Sequence, residues 1–182
     1  MTTRLPPDRA GTQLDEEQLL ARQRRFVAEA KPSAGPAIVA IGMRTPENLG
    51  SILRHADAAG CRRVLFVDAA IQPAGKKLSR IARSADRHLR YSYLSSEELI
   101  HRLDELAPLV AVEITSRSVD LYHAALPGDC SLVVGSERAG ISREILERCS
   151  LAVHIPMYGV NGSMNVSHAL TLAMYEWRRQ HG

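Results

Sequence analysis

Absences bound this 182-residue chain before any motif does. Three cysteines, Cys61, Cys130 and Cys149, stand far apart with no C-x-x-C pair, which argues against a disulfide framework and a zinc site. No apolar run approaches a membrane span, and the opening MTTRLPPDRAGTQ lacks the apolar stretch of a secretion signal. A cytoplasmic location is the simplest expectation. Neither G-x-G-x-x-G nor G-x-x-x-x-G-K-[ST] occurs, so a dinucleotide fold of the usual kind and a P-loop NTPase are poorly supported. No serine sits in a nucleophile elbow, and neither an internal repeat nor a low-complexity tract is found. No metal site is expected.

What is present is ordinary for one globular domain, with 45% hydrophobic and 24% charged residues. The net charge of +3 is unevenly spread. Residues 76–90 hold six Lys or Arg against one Asp, so the remainder of the chain sums to −2. Lys77, Arg80, Arg83 and Arg87 fall close to one helical face. Such a stripe is either a solvated surface or a phosphate-binding footprint.

Residues 1–13 carry little to bury and are expected to be disordered. A helix is predicted over Asp15–Ala30, acidic first and basic later, as a helix dipole prefers. Residues 1–35 thus form an N-terminal extension, and 36–182 the main domain. There, short apolar strands alternate with helices. Strands are predicted at Ala37–Ile41, Arg63–Val67, Leu89–Tyr93, Leu109–Ile114, Leu132–Gly135 and Leu151–Ile155. Helices are predicted at Leu49–Ala59, Lys76–Ala85, Ser95–Leu106 and Ser142–Arg148, and one runs from about Val166 to near the chain end. This is the pattern of an α/β fold, a mostly parallel sheet with helices on both faces. Such sheets bind ligands at the carboxyl ends of their strands.

Three loops lie at strand ends: Gly42–Asn48, Gly135–Ile141 and Pro156–Ser163. After the first, Leu49, Ile52, Leu53 and Ala56 form a buried stripe. Gly50 and Arg54, four apart, are expected to share the exposed face, the glycine giving clearance beside the guanidinium. Asn48 reads as an N-cap. Glu137, between two glycines, is aimed at a ligand or at Arg54, and Ser142 can cap the helix that follows. In the third loop Gly159 and Gly162 permit close approach or positive φ, and Ser163 and Asn165 can satisfy the free N–H groups of the last helix. Val166, Ala169, Leu170, Ala173 and Trp177 make that helix's core face. Leu172 and Tyr175 make a second apolar group suited to a partner chain.

N-L-G-S-I-L-R at 48–54, G-S-E-R-A-G-I-S at 135–142 and I-P-M…G-S-M-N-V-S-H-A at 155–169 resemble, in order and spacing, the three motifs of the TrmH/SpoU family. These are RNA 2′-O-methyltransferases of the SPOUT superfamily. The resemblance covers about Ala37–Gln180; Met164 stands where leucine is common. It implies a C-terminal trefoil knot, a homodimer, and an S-adenosylmethionine site built largely from backbone. By position it assigns Val112, Gly135, Ile155, Met157, Ser163 and Met164 to the cofactor. It assigns Arg54 to catalysis, with Asn48, Glu137, Ser163 and Asn165 as its polar company. Arg54 and the stripe of Lys77, Arg80, Arg83 and Arg87 would hold the RNA, a tRNA or an rRNA. Two rivals stand beside this reading: a silent relative that only binds RNA, and a nucleotide-binding enzyme of another class.

Overall fold

The computed structural model describes residues 11–73, 75–83 and 85–182. The chain divides after Ser33 into two units. The first holds α1, Glu16–Ala30. Its start is a capping box: Asp15 accepts from the Gln18 N–H at 2.9 Å, and the Gln18 side chain accepts from the Asp15 N–H at 3.0 Å. No residue of α1 is buried, and Leu19, Leu20, Phe26 and Val27 stand exposed. Of the segment expected to be disordered, residues 1–10 lie outside the described residues.

The second unit is a seven-stranded sheet. Its strands are β1 Gly35–Ile41, β2 Cys61–Val67, β3 Tyr91–Leu94, β4 Leu109–Val112, β5 Val119–Asp120, β6 Ser131–Val134 and β7 Leu151–His154. All pairings are parallel, in the order β3-β2-β1-β6-β4-β7-β5. Because side chains alternate along a strand, each strand feeds two cores. Ile38, Ala40, Val64, Phe66, Leu132 and Val134 face one side, packed under α2 (Pro46–Ala58), α3 (Gly75–Ala82) and α7 (Val166–His181). Val39, Leu65, Ala111 and Val133 face the other, where Leu99, Leu103, Leu106 and Ile145 cover them. Those covering residues sit on α4 (Ser96–Ile100), α5 (Leu103–Leu106) and α6 (Arg143–Leu146).

The chain lays β2 and β3 outward from β1 on one side, then crosses back to build β4 to β7 on the other. The reversal beside β1 is a switch point, where loops diverge and leave a crevice at the carboxyl edge. The strands that feed the three motif loops, β1, β6 and β7, lie within one run of four with β4.

Several expectations are corrected. β5 is an edge strand of two residues, too short to show a period. β3 starts at Tyr91, two residues later than predicted. The helix predicted over Ser95–Leu106 is two short ones, although its Ser95–Glu98 capping box is present. The basic helix stops at Ala82, and Arg83 turns left-handed at φ +48°. Lys77 and Arg80 are therefore exposed on α3, while Arg83 lies in the turn and Arg87 in the 3-10 turn Ala85–Arg87. The four cations are all exposed, but they are not one helical stripe.

Gly50 is the largest revision. It is buried, facing α3 rather than solvent, and a Cβ there would lie 2.0 Å from Ile81 Cγ2. The clearance serves helix packing, and of the pair Arg54 is the exposed member.

Candidate active site

The site is assembled at the carboxyl edge from three loops. Thr45, not Asn48, caps α2: its side-chain oxygen accepts from the Asn48 N–H at 3.3 Å, with Pro46 in the first turn. That leaves the Asn48 side chain available for a longer-range bond. Asn165 caps α7, its Oδ1 accepting from the N–H groups of Ser167 at 2.9 Å and His168 at 3.4 Å. Ser163 makes no hydrogen bond to any described residue, so it does not share the capping. Gly159 and Gly162 have neither positive φ nor close neighbours. Ser142 stands at the N-cap of α6 without a side-chain bond.

With its oxygen engaged in the cap, the Asn165 amide points its nitrogen across the crevice. Nδ2 donates to Asn48 Oδ1 at 3.0 Å and to Glu137 Oε1 at 3.2 Å. A flipped amide would set oxygen against oxygen at both contacts, so the chemistry of the neighbours fixes this orientation. Asn48 Nδ2 donates to the same Glu137 oxygen at 3.5 Å, at the limit for a hydrogen bond. The three motifs meet in this triangle, and Glu137 Oε2 is left without a partner among the described residues. The carboxylate faces two amides, not Arg54. Arg54 is exposed, lines neither of the two cavities at this edge, and makes no hydrogen bond or ion pair to a described residue.

Beside Arg54, His55 Nδ1 lies 2.7 Å from Thr171 Oγ, whose hydroxyl donates to the Ser167 carbonyl at 2.6 Å. With its one proton committed, Thr171 accepts from Nδ1–H, leaving Nε2 as the unprotonated nitrogen. Burial lowers the His55 pKa, and His168 and Arg54 lower it further. The three thiols are chemically quiet. Burial lifts Cys61 to about 12 and Cys130 and Cys149 to about 11. Among the described residues no group of His, Cys, Asp and Glu could hold a metal ion.

The larger cavity measures about 530 Å³, within the usual range for a small-molecule site. Val112, Gly135, Ile155, Met157, Ser163 and Met164 all line it. Gly135 earns its place by backbone crowding: a Cβ there would lie 2.0 Å from the Gly140 carbonyl carbon. This closure, with the Ser136–Gly140 bridge and Gly140 at φ +62°, folds the second loop into a rim. Sequence reasoning missed Glu113, which also lines this cavity, Arg138, which lines both it and a smaller one, and Arg44, which lines the smaller one. Arg44 and Arg138 lie inside loops already singled out; Glu113 follows a strand end and carries no local signal.

A lining of apolar side chains, thioethers and backbone with few charges fits S-adenosylmethionine, whose adenosine and methionine parts need apolar walls and backbone donors. Comparison with known proteins points the same way. Residues 36–175 match the model of the SpoU rRNA Methylase family. The 23S rRNA (guanosine-2′-O-)-methyltransferase RlmB of Neisseria meningitidis serogroup B is 34% identical over 143 residues, 76% of this chain and 56% of that one. Among solved structures, an RNA 2′-O ribose methyltransferase superposes with a TM-score of 0.72 at 33% identity, covering 82% of this chain and 58% of that one. An AdoMet-bound rRNA methyltransferase from Sinorhizobium meliloti gives 0.72 at 25% identity, covering 81% and 57%. The chain thus spans less than two thirds of the length of the first curated relatives it matches.

Proposed function

Because the chain belongs to the SpoU rRNA Methylase family, we propose that it transfers a methyl group from S-adenosylmethionine to a ribose 2′-hydroxyl of tRNA or rRNA. The observation that carries this reading is the convergence of Asn48, Glu137 and Asn165 beside a cavity lined by all six residues assigned to the cofactor. When bound, the cofactor supplies an electrophilic methyl carbon on a sulfonium. The chain's own work is then to hold, orient and exclude. Gly135, Ile155, Met157, Ser163 and Met164, with Val112 beneath, enclose the donor. The amide triangle holds Glu137 still, with Oε2 free to accept a hydrogen bond from the substrate. In-line transfer needs the reacting atoms roughly 3–3.5 Å apart, so side chains held rigidly around the junction of donor and acceptor contribute directly to rate.

Arg54 is the residue proposed to steady the RNA phosphate and the developing alkoxide, by the bidentate geometry of its guanidinium. It lines neither cavity of its own chain. That isolation favours a homodimer, as do Leu172 and Tyr175, 38% and 50% exposed on α7. Lys77, Arg80, Arg83 and Arg87 are exposed cations available to the RNA backbone, an attraction that weakens with salt. Residues 36–182 are the proposed methyltransferase domain and 1–35 an extension to it. The reading includes the C-terminal trefoil knot of the family, supported by the interleaving of β6 and β4 between β1 and β7. It places the protein in the cytoplasm; no helix among the described residues is long and apolar enough to cross a membrane.

The test is transfer of labelled methyl from S-adenosylmethionine to total tRNA and to rRNA, followed by digestion to nucleosides. A labelled 2′-O-methylnucleoside is expected. Cofactor binding without transfer to either pool would favour the silent relative, and no cofactor binding would remove the reading altogether.

A further inference from the structure

The same edge of the sheet holds a second, smaller cavity of about 250 Å³. It shares Ser136, Glu137, Arg138 and Val166 with the larger one, so the two adjoin along these residues. Arg44, Thr45 and Asn48 bring the start of α2 to its other side. Its charge is unbalanced. Arg44 and Arg138 are both exposed and neither makes a hydrogen bond or ion pair to a described residue. The one carboxylate among its lining residues, Glu137, is already turned to the amides of Asn48 and Asn165. The amino end of α2 adds partial positive charge to the same space. Two unpaired guanidinium groups around one small cavity describe a receptor for oxyanions, and their forked donors match phosphate better than any other common anion.

Size narrows the ligand. The volume is below the usual range for drug-sized molecules and too small for a stacked base pair, yet adequate for one ribose with a flanking phosphate. Specific recognition of a folded RNA mostly targets nucleotides in single-stranded loops, bulges and ends. We propose that this cavity seats the target ribose of a single unpaired ribonucleotide, with Arg44 and Arg138 at its mouth on the phosphates that flank that ribose. The inference rests on the methyltransferase reading and adds to it the seat of the acceptor. The shared lining then has a purpose: methyl donor and methyl acceptor occupy cavities that adjoin beside Glu137. Phosphate contacts are blind to sequence, so these two arginines set the register of the RNA and leave the choice of base to other groups.

Uridine 3′,5′-bisphosphate carries both flanking phosphates and lacks the adenine that would compete for the larger cavity. Titrated into the full chain saturated with S-adenosylhomocysteine, it is expected to shift the backbone amide resonances of residues 44–48 and 136–138. Uridine alone is expected to shift none of them. Arg44→Gln together with Arg138→Gln should weaken the bisphosphate at least tenfold. Arg44 does not line the larger cavity, so Arg44→Gln alone should leave S-adenosylhomocysteine affinity within twofold by calorimetry. It should also raise the KM for RNA and reduce the salt dependence of RNA binding by about one phosphate contact. Equal binding of the bisphosphate by wild type and double variant overturns the inference, as do equal shifts from uridine. Failure of S-adenosylhomocysteine to bind the wild type would sink the methyltransferase reading instead. The bisphosphate titration, repeated without it, still judges the cavity.

Discussion

The side-chain amide of Asn165 donates to Asn48 Oδ1 at 3.0 Å, joining two residues 117 positions apart. The same side chain caps α7 through its oxygen. One asparagine therefore couples the start of the last helix to the start of α2 and to Glu137. A second contact continues the seam, since His55 and Thr171 meet at 2.7 Å on the same two helices. Asn48 and His55 are seven residues apart, two turns of one helical stripe, so α2 presents that stripe to α7 along its length.

The two ends of Asn165 can be separated by substitution. Asn165→Ala removes both cap and donor. It should destabilise the protein by about 1 kcal/mol, the usual cost of a lost cap, and also lower methyl transfer. Asn165→Asp keeps an oxygen for the cap but replaces the donor with a carboxylate oxygen facing Glu137. It should unfold in urea near the wild-type midpoint while losing at least tenfold in turnover. Equal losses of stability in both variants would show that the donor bonds of the triangle, not the cap, are what Asn165 supplies to stability.

Arg54→Ala tests a different link. Arg54 touches neither cavity, so its loss should leave cofactor affinity and urea midpoint near wild type. Methyl transfer should fall by two orders of magnitude or more, in line with removal of a group that stabilises transition-state charge. A variant that methylates RNA at the wild-type rate would remove Arg54 from the chemistry.

How far the sequence could be read follows from what is local. Ala37–Ile41 and Leu132–Val134 are unbroken apolar runs, and the core face of α7 keeps its helical period, so these elements and the carboxyl-edge placement of the loops were accessible. The pair Gly50 and Arg54 was not. Four residues advance a helix by slightly more than one turn, which puts the two near each other. The boundary between buried and exposed falls between them, because Ile81 arrives from α3. Nothing in the spacing of α2 states where another helix will lie. Asn48 and Arg54 show the same limit. Six residues separate them by about 9 Å along the axis and about 120° around it, so one motif delivers its asparagine to the triangle and its arginine elsewhere. The break after Ala82 was equally hidden, since it rests on Arg83 adopting φ +48° in a segment of helix-compatible composition.

His55 supplies a pH prediction. Its pKa in the folded protein lies below its ordinary value because burial, then His168 and Arg54, disfavour the imidazolium. As pH falls through about 6.5 the unfolded chain takes up the proton before the folded chain does. Stability should therefore decline as pH is lowered from about 7 toward the depressed folded pKa, and this effect is absent above pH 7. His55→Gln removes the titration. Urea midpoints at pH 7.5 and 5.5 should differ less for the variant than for wild type. An equal or larger drop in the variant would place the origin in other groups.

Gly50 separates two explanations of one residue. If the glycine gave room to a ligand beside Arg54, Gly50→Ala would fold normally and bind RNA less well. The packing gives the opposite expectation. Alanine would gain up to about 1 kcal/mol of helix propensity. Its Cβ would nevertheless stand 2.0 Å from Ile81 Cγ2 and 2.9 Å from Ile81 Cβ, so α3 must move. Overpacking of this kind costs roughly 1–3 kcal/mol. A net destabilisation is therefore expected in urea unfolding. Ile81→Ala removes the nearer carbon, and the double variant Gly50→Ala with Ile81→Ala should be more stable than the sum of the two single changes. That positive coupling in a double-mutant cycle is the signature of direct contact between the two positions. Strict additivity would mean that α2 and α3 do not meet there, and the reading of Gly50 as ligand clearance would be restored.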